Sequence, residues 1–282
     1  MTKTTRWTCP NCDILVPTPF CPNCGEHVLH TRELTLRPLI GQGFESFTNI
    51  DGRLLRSFRY LVSRPGSLTI AYVRGQRKPY MTPVALFLLI NVLFFAMESL
   101  TGGEVFTTPL ESHLHTQPWS INAVQNLVAR NLEAKQTTLS SYAPVFNRAI
   151  ALNARSLIIF MAVFFSLAPA LVFWRSSRPL VVHVVFSLHF YAFVLLLLCI
   201  GTAIPVISAW FGGSGRESEP MDHAIFIGLL IASAVYLYLS ASAVYRDRGV
   251  VLILKTVALT FAVAVVLLGY RFMLLLITLH ST

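Results

Sequence analysis

Five stretches of this 282-residue chain are apolar over a length that can cross a lipid bilayer. They run approximately over Pro83–Leu100, Ser156–Trp174, Leu180–Trp210, His223–Tyr245 and Val250–Leu279. About 20 residues of helix cover roughly 30 Å of hydrocarbon. Inside that layer each backbone N–H and C=O must be satisfied within its own element, which favours helices. The predicted fold class is therefore an all-α polytopic membrane protein with about five transmembrane helices. Composition agrees, with 54% hydrophobic and 12% charged residues, against about 25% charged in a soluble domain. The third and fifth stretches are long enough to tilt or to extend past the interface. Gly201 and Pro205 in the third are expected to bend the helix there, and a break is open to it. The polar N-terminal stretch lacks the apolar core of a cleavable leader, so the first span is expected to act as the insertion signal.

Four of the five cysteines form two knuckles, Cys9-Pro10-Asn11-Cys12 and Cys21-Pro22-Asn23-Cys24, the second followed by Gly25. Each knuckle turns the chain tightly enough for both sulfurs to reach one ion, and Gly25 permits the backbone geometry that often follows the second ligand. Residues 1–30 are thus predicted to be a small N-terminal zinc ribbon binding one Zn2+ through Cys9, Cys12, Cys21 and Cys24. Four protein ligands close the coordination shell, so the ion is structural. A redox dithiol and two disulfides are the competing readings. The first needs only one C-x-x-C, and the second does not persist in a reducing cytosol.

Orientation follows from lysine and arginine. Residues 1–80 carry eleven of them, against four in the roughly 55 residues after the first span. Arg175 and Arg178 lie between spans two and three, and Arg246 and Arg248 between spans four and five. This bias predicts a cytosolic N-terminus and a periplasmic C-terminus in a bacterial inner membrane, which also keeps the cysteines in a reducing compartment. The net charge of +9 invites a nucleic-acid reading. The basic residues flank the spans, however, where topology and anionic headgroups account for them, so nucleic acid is not the expected partner.

Residues 31–80 read as amphipathic basic helices at the membrane interface. Leu36, Leu39, Ile40, Phe44 and Phe47 recur at helical spacing, and Leu54, Leu55, Phe58, Leu61 and Val62 do so with arginines interleaved. A third short element follows Pro65-Gly66 and ends at Gly75. Arg64, Arg74, Arg77 and Lys78 are candidate ligands for a phosphate or lipid headgroup, because guanidinium forks match phosphate oxygens. A basic collar that only anchors the ribbon is the plainer alternative. Residues 81–282 form the transmembrane bundle, with an outer loop or cap at 101–155. In that loop Ile121, Val124, Leu127, Val128 and Leu132 predict one amphipathic helix.

The run Arg64-Pro65-Gly66…Tyr72-Val73-Arg74-Gly75-Gln76-Arg77-Lys78-Pro79-Tyr80…Pro83 is specific. Together with the knuckles and the later Val182-His183…Ser187-Leu188-His189, it resembles a family of uncharacterised bacterial inner-membrane proteins known only as a domain of unknown function. The pattern of that family is a zinc-ribbon start, then R-P-G…Y-x-x-G-x-R-x-x-Y-x-x-P, then a late span with two histidines. Val182 stands where members often carry an acidic residue, so a carboxylate-paired role for His183 is not implied here. The resemblance implies an architecture and no activity.

His183, His189 and Asn91 are the candidate polar groups within the spans, where ionisable residues usually face protein or a cavity. The two histidines are six residues apart, about 600° of helix rotation, so they do not share a face or form an i, i+4 metal pair. Interhelical hydrogen bonding, proton coupling or substrate contact, and metal ligation are the open roles, with Asn91 a possible partner. Glu111, His113 and His115 cluster in the outer loop, where H-x-H can bind metal if it lies on a strand. Lys255 and Arg271 are placed to snorkel to opposite interfaces, and Cys199 reads as packing. No nucleophile elbow, phosphate-binding glycine loop or paired carboxylate supports an enzyme.

Two functions fit. One is a transport or lipid-handling component with the ribbon as a cytosolic docking or gating module; in design it resembles the paraquat-inducible protein A family, which also sets zinc ribbons beside membrane helices. The other is a membrane-anchored scaffold or sensor that recruits a cytosolic protein partner through the ribbon. A cavity reaching His189 favours the first and a solidly packed bundle the second. Anionic headgroups at the cytosolic face are the expected lipid partners.

Overall fold

The computed structural model describes residues 6–28, 35, 36, 39, 52–101, 105–115, 117, 122–212 and 219–282. Of the predicted helix over Leu36 to Phe47, Ile40, Phe44 and Phe47 lie outside these residues, as does Ile121. The chain opens with a two-stranded antiparallel ribbon, β1 (Trp7–Thr8) and β2 (Leu15–Val16). Helices follow: α1 (Arg53–Ser63), α2 (Ser67–Val73), α3 (Pro83–Thr101), α4 (Leu110–His115), α5 (Asn122–Ala134) and α6 (Leu139–Leu157). The remainder is α7 (Ile159–Phe165), α8 (Leu167–Val172), α9 (Leu180–Trp210), α10 (Glu219–Tyr245) and α11 (Gly249–Ser281).

Four of these, α3, α9, α11 and the His223–Tyr245 part of α10, are long and apolar enough to cross a membrane. A fifth crossing results if α6 and the α7–α8 pair, bent by 53°, are one span. The predicted stretch Ser156–Trp174 holds α7 and α8, and the helices are interrupted at Ile158 and Ser166. The second break has a local cause. The Ser166 hydroxyl donates back to the Val163 carbonyl (2.6 Å), and Pro169 supplies no N–H to the turn before it. By contrast α9 runs unbroken through Gly201 and Pro205. A side chain at Gly201 would meet Leu229 at 3.0 Å, so its glycine serves packing against α10 and not a break.

Thr82-Pro83 starts α3. The Thr82 hydroxyl accepts from the Ala85 N–H (3.4 Å), and proline occupies the first helical position, where its missing N–H costs nothing. Every residue from Val181 to Phe193 is buried, so the first half of α9 is central, surrounded on all sides. Pro83 and His189 line the same small cavity. Helix α3 therefore starts level with His189, nine residues or about 14 Å along α9 from Leu180. The turns of α9 before that level meet α2 and the end of α10.

Helix α2 is packed into the bundle. Leu68, Thr69, Ala71 and Tyr72 are buried, and the helix is wedged against α9 and α10. Gly66, with φ of 80°, lets its N-terminus approach α10. At the other end Gly75 (φ 84°) forms a Schellman close, with Gln76 N–H to Ala71 O (2.9 Å) and Gly75 N–H to Tyr72 O (3.1 Å). At the opposite end of the bundle, α5 buries Val124 and Val128 and leaves Leu127 exposed. Asn131 there donates to the Leu279 carbonyl (3.0 Å), tying α5 to the end of α11. The predicted outer helix is thus a docked cap.

Candidate metal centre and its docking to the bundle

The two knuckles are near copies. In each, the first cysteine's carbonyl accepts from the N–H four residues on, Asp13 to Cys9 (2.9 Å) and Gly25 to Cys21 (2.8 Å). In each, its own N–H donates to the carbonyl five residues on, Cys9 to Ile14 (2.9 Å) and Cys21 to Glu26 (2.7 Å). The fourth residue after the first cysteine has positive φ in both, Asp13 at 57° and Gly25 at 70°; aspartate and glycine are among the residues that tolerate it. This repeat brings the four sulfurs within 4.8 Å of one another, with Cys9 and Cys24 at 3.6 Å. A tetrahedron with metal–sulfur bonds of about 2.3 Å has edges of about 3.8 Å, so the set can hold one metal ion.

The thiols also compete with one another. The hydrogen bond with Cys24, then burial, push Cys12 up to about 12. Burial opposes ionisation of Cys24, yet hydrogen bonds from Asn11 and the Glu26 backbone, among others, draw it down to about 7. A divalent cation would let all four ionise. Among the described residues no other group of three His, Cys, Asp or Glu side chains gathers closely enough for a metal.

The ribbon is fastened to the bundle by its second knuckle. Glu26 is buried (3% exposed), and one carboxylate oxygen accepts from the backbone N–H of Arg77 and of Lys78, both at 3.0 Å. Gln76 donates its side-chain amide to the Pro10 carbonyl. A Cβ on Gly25 would lie 3.8 Å from the Lys78 side chain, so the knuckle and the loop are in close approach. The Gly75-Gln76-Arg77-Lys78 run is therefore the seat of the ribbon.

The four candidate phosphate ligands do not converge. Arg64 is exposed, its guanidinium 5.0 Å over the Tyr60 ring. Arg77 lies 5.3 Å over Tyr72 and lines the small cavity with His189. Lys78 is exposed beside the ribbon. Arg74 lines a separate cleft with Arg178 and Arg246, two residues that charge patterning uses only as topology markers. Their gathering depends on how three chain connections fold together, which one-dimensional spacing does not carry.

The histidines have separate partners. His189 Nδ1 and Thr69 Oγ1 of α2 share a hydrogen bond of 2.9 Å. His183 Nδ1 and Tyr245 Oη share one of 2.8 Å, and Tyr245 stacks on Phe173 at 3.9 Å and 4°. Asn91 is buried, and its Oδ1 makes no hydrogen bond among the described residues, so it partners neither histidine. In the cap, His113 is buried and packs edge-on to Phe146, while Glu111 and His115 are exposed. These three lie on helix α4, not on a strand, and the two histidines are separated by about 200° of rotation. Burial, then Arg271, hold His113 down to about 4. Lys255 pairs with Asp247 at 2.5 Å, and Arg271 donates to the Val105 carbonyl (3.4 Å).

Residues 51–95 match the model of a family described as a protein of unknown function (DUF3667). The matched segment covers α1, the R-P-G turn, α2, the ribbon seat and most of α3. No curated protein and no solved structure matches the chain.

Proposed function

We propose that the protein is a non-enzymatic, membrane-anchored scaffold or sensor whose zinc-bound ribbon presents a docking surface for a cytosolic protein partner. One structural Zn2+ is held by Cys9, Cys12, Cys21 and Cys24, and the ribbon end faces the cytosol of a bacterial inner membrane. The observation that carries this reading is the interior around His189. The cavity there is about 20 Å³, room for a single water, and both histidines are engaged by neighbouring hydroxyls. A transport path calls for more space than this cavity has.

The ribbon suits the docking role. It is fixed to the bundle through Glu26 and leaves Leu15 and Phe20, each 60% exposed, on its surface. The lipid-handling alternative draws support from the arginine cleft taken up below.

A photo-crosslinking residue at Phe20 tests the proposal in cells. One discrete cytosolic adduct is expected, lost when Cys21→Ser removes a ligand. A thiol probe applied from each side to Tyr191→Cys in a Cys199→Ser background should leave that site unlabelled. Labelling of Tyr191→Cys from both sides, with no ribbon adduct, would replace the scaffold with a conduit.

A further inference from the structure

Three arginines reach one cleft from three separate connections. Arg74 follows α2, Arg178 lies in the link into α9, and Arg246 directly follows α10. The cleft has a volume of about 370 Å³, and the rest of its lining among the described residues is aliphatic, Ile70, Val73 and Val182 included. Among the described residues no carboxylate lines it. The nearby acid Asp247 is taken by Lys255. Arg178 donates to the Val244 carbonyl (3.4 Å), whereas Arg74 and Arg246 make no side-chain ion pair among the described residues. Arg246 also has φ of 63°, a left-handed backbone that a large side chain seldom adopts. A cation after a helix C-terminus answers the helix dipole. That accounts for Arg74 and Arg246 singly, but not for their meeting a third arginine around a cavity that no carboxylate among the described residues lines.

Three guanidinium groups offer planar donor pairs matched to the oxygens of a phosphate, and their summed charge favours an anion of one to two charges. Aliphatic walls beside them suit the carbon skeleton that carries such a group. We propose that this cleft binds a phosphate group, presented either by an anionic phospholipid headgroup or by a free phosphate monoester. The inference replaces the candidate set Arg64, Arg74, Arg77 and Lys78 with Arg74, Arg178 and Arg246, and does not rest on the scaffold reading.

Native mass spectrometry of the full chain in detergent tests it, with phosphatidylglycerol, phosphatidylcholine, glycerol 3-phosphate and inorganic phosphate as probes. The variant is Arg74→Gln with Arg246→Gln; Arg178 is kept because its bond to Val244 holds the chain. Arg130→Gln with Arg148→Gln, on exposed surface elsewhere, is the control. Wild type and control should bind phosphatidylglycerol in preference to phosphatidylcholine. The variant should bind about 100-fold more weakly, roughly tenfold for each arginine whose charge-assisted hydrogen bonds are removed. Phosphatidylglycerol retained against excess inorganic phosphate identifies the lipid as source. Arginine-dependent binding of glycerol 3-phosphate without retained lipid identifies the free ester. Equal binding by wild type and a variant of unchanged melting temperature overturns the proposal, as does failure of wild type to bind every phosphate probe.

Discussion

Gly66→Ala is the sharpest test of how α2 is seated. Gly66 has φ of 80°, and a Cβ there would lie 2.9 Å from the Ser240 carbonyl oxygen and 3.1 Å from the Ala243 Cβ. The nearer atom is backbone of α10, so no rotamer change relieves the contact. A left-handed backbone costs a non-glycine residue about 1–2 kcal/mol. Forcing an extra methyl into a packed contact adds about 1–3 kcal/mol, giving a destabilisation of roughly 2–5 kcal/mol. Gly212 separates the two terms, because its φ is 81° and nothing lies within 4 Å of its added Cβ. Gly212→Ala should therefore show only the backbone term, about 1–2 kcal/mol. Equilibrium unfolding in mixed micelles measures both, and the difference reports the α2–α10 contact. Equal losses for the two variants, within about 0.5 kcal/mol, would show that α2 does not press on α10 and would refute the seating.

Other outcomes follow from the same packing. Purified protein should carry one zinc per chain by elemental analysis, lost in Cys21→Ser and released on acidification, because protons compete for the thiolates; retention of zinc in Cys21→Ser would contradict the four-ligand site. Glu26→Ala removes the acceptor for two backbone N–H groups and should weaken ribbon docking by about 1–3 kcal/mol, read as faster proteolysis between residues 28 and 52; an unchanged cleavage rate would count against that role. A double-mutant cycle of Thr69→Ala and His189→Ala should give a coupling of about 1 kcal/mol, and additivity would mean that the 2.9 Å hydrogen bond contributes nothing.

Hydropathy made the spans α3, α9, α10 and α11 legible, and cysteine spacing did the same for the metal site. Helix α6, which leads into the second predicted span, was not legible as one long helix because Asn147, Arg148, Asn153 and Arg155 interrupt its apolar run. Several of these find partners only after folding. Asn147 accepts from Leu110 N–H (3.0 Å), Asn153 donates to Thr278 (3.0 Å), and Arg155 lies 5.8 Å over Phe95. The burial of α2 was not legible for a different reason. Seven residues are too few for periodicity to separate a one-sided interfacial helix from one buried on several sides, and Thr69 reads as polar until His189 is beside it. The arginine cleft depends wholly on tertiary convergence, since Arg74, Arg178 and Arg246 are distant in sequence.

The bonds between ribbon and bundle also set how far a change at the metal can travel. The two meet through Glu26 with Arg77 and Lys78, and through Pro10 with Gln76. All of these bonds fall on the loop after α2. The helix itself is held by Leu68, Ala71 and Tyr72 in the core, by Thr69 with His189 and by Gly66 against α10. None of those interactions involves the ribbon. Stripping the metal should therefore unfold residues 6–28 and release the seat, yet leave α2 in place. Hydrogen exchange on the full chain with and without chelator checks this by region. Amides of Arg77 and Lys78 should lose protection, while those of Ile70 to Val73 should hold theirs. Loss of protection throughout α2 would show that metal binding is coupled to the helix bundle, and the ribbon would then act as a regulator of the membrane domain and not as a docked module upon it.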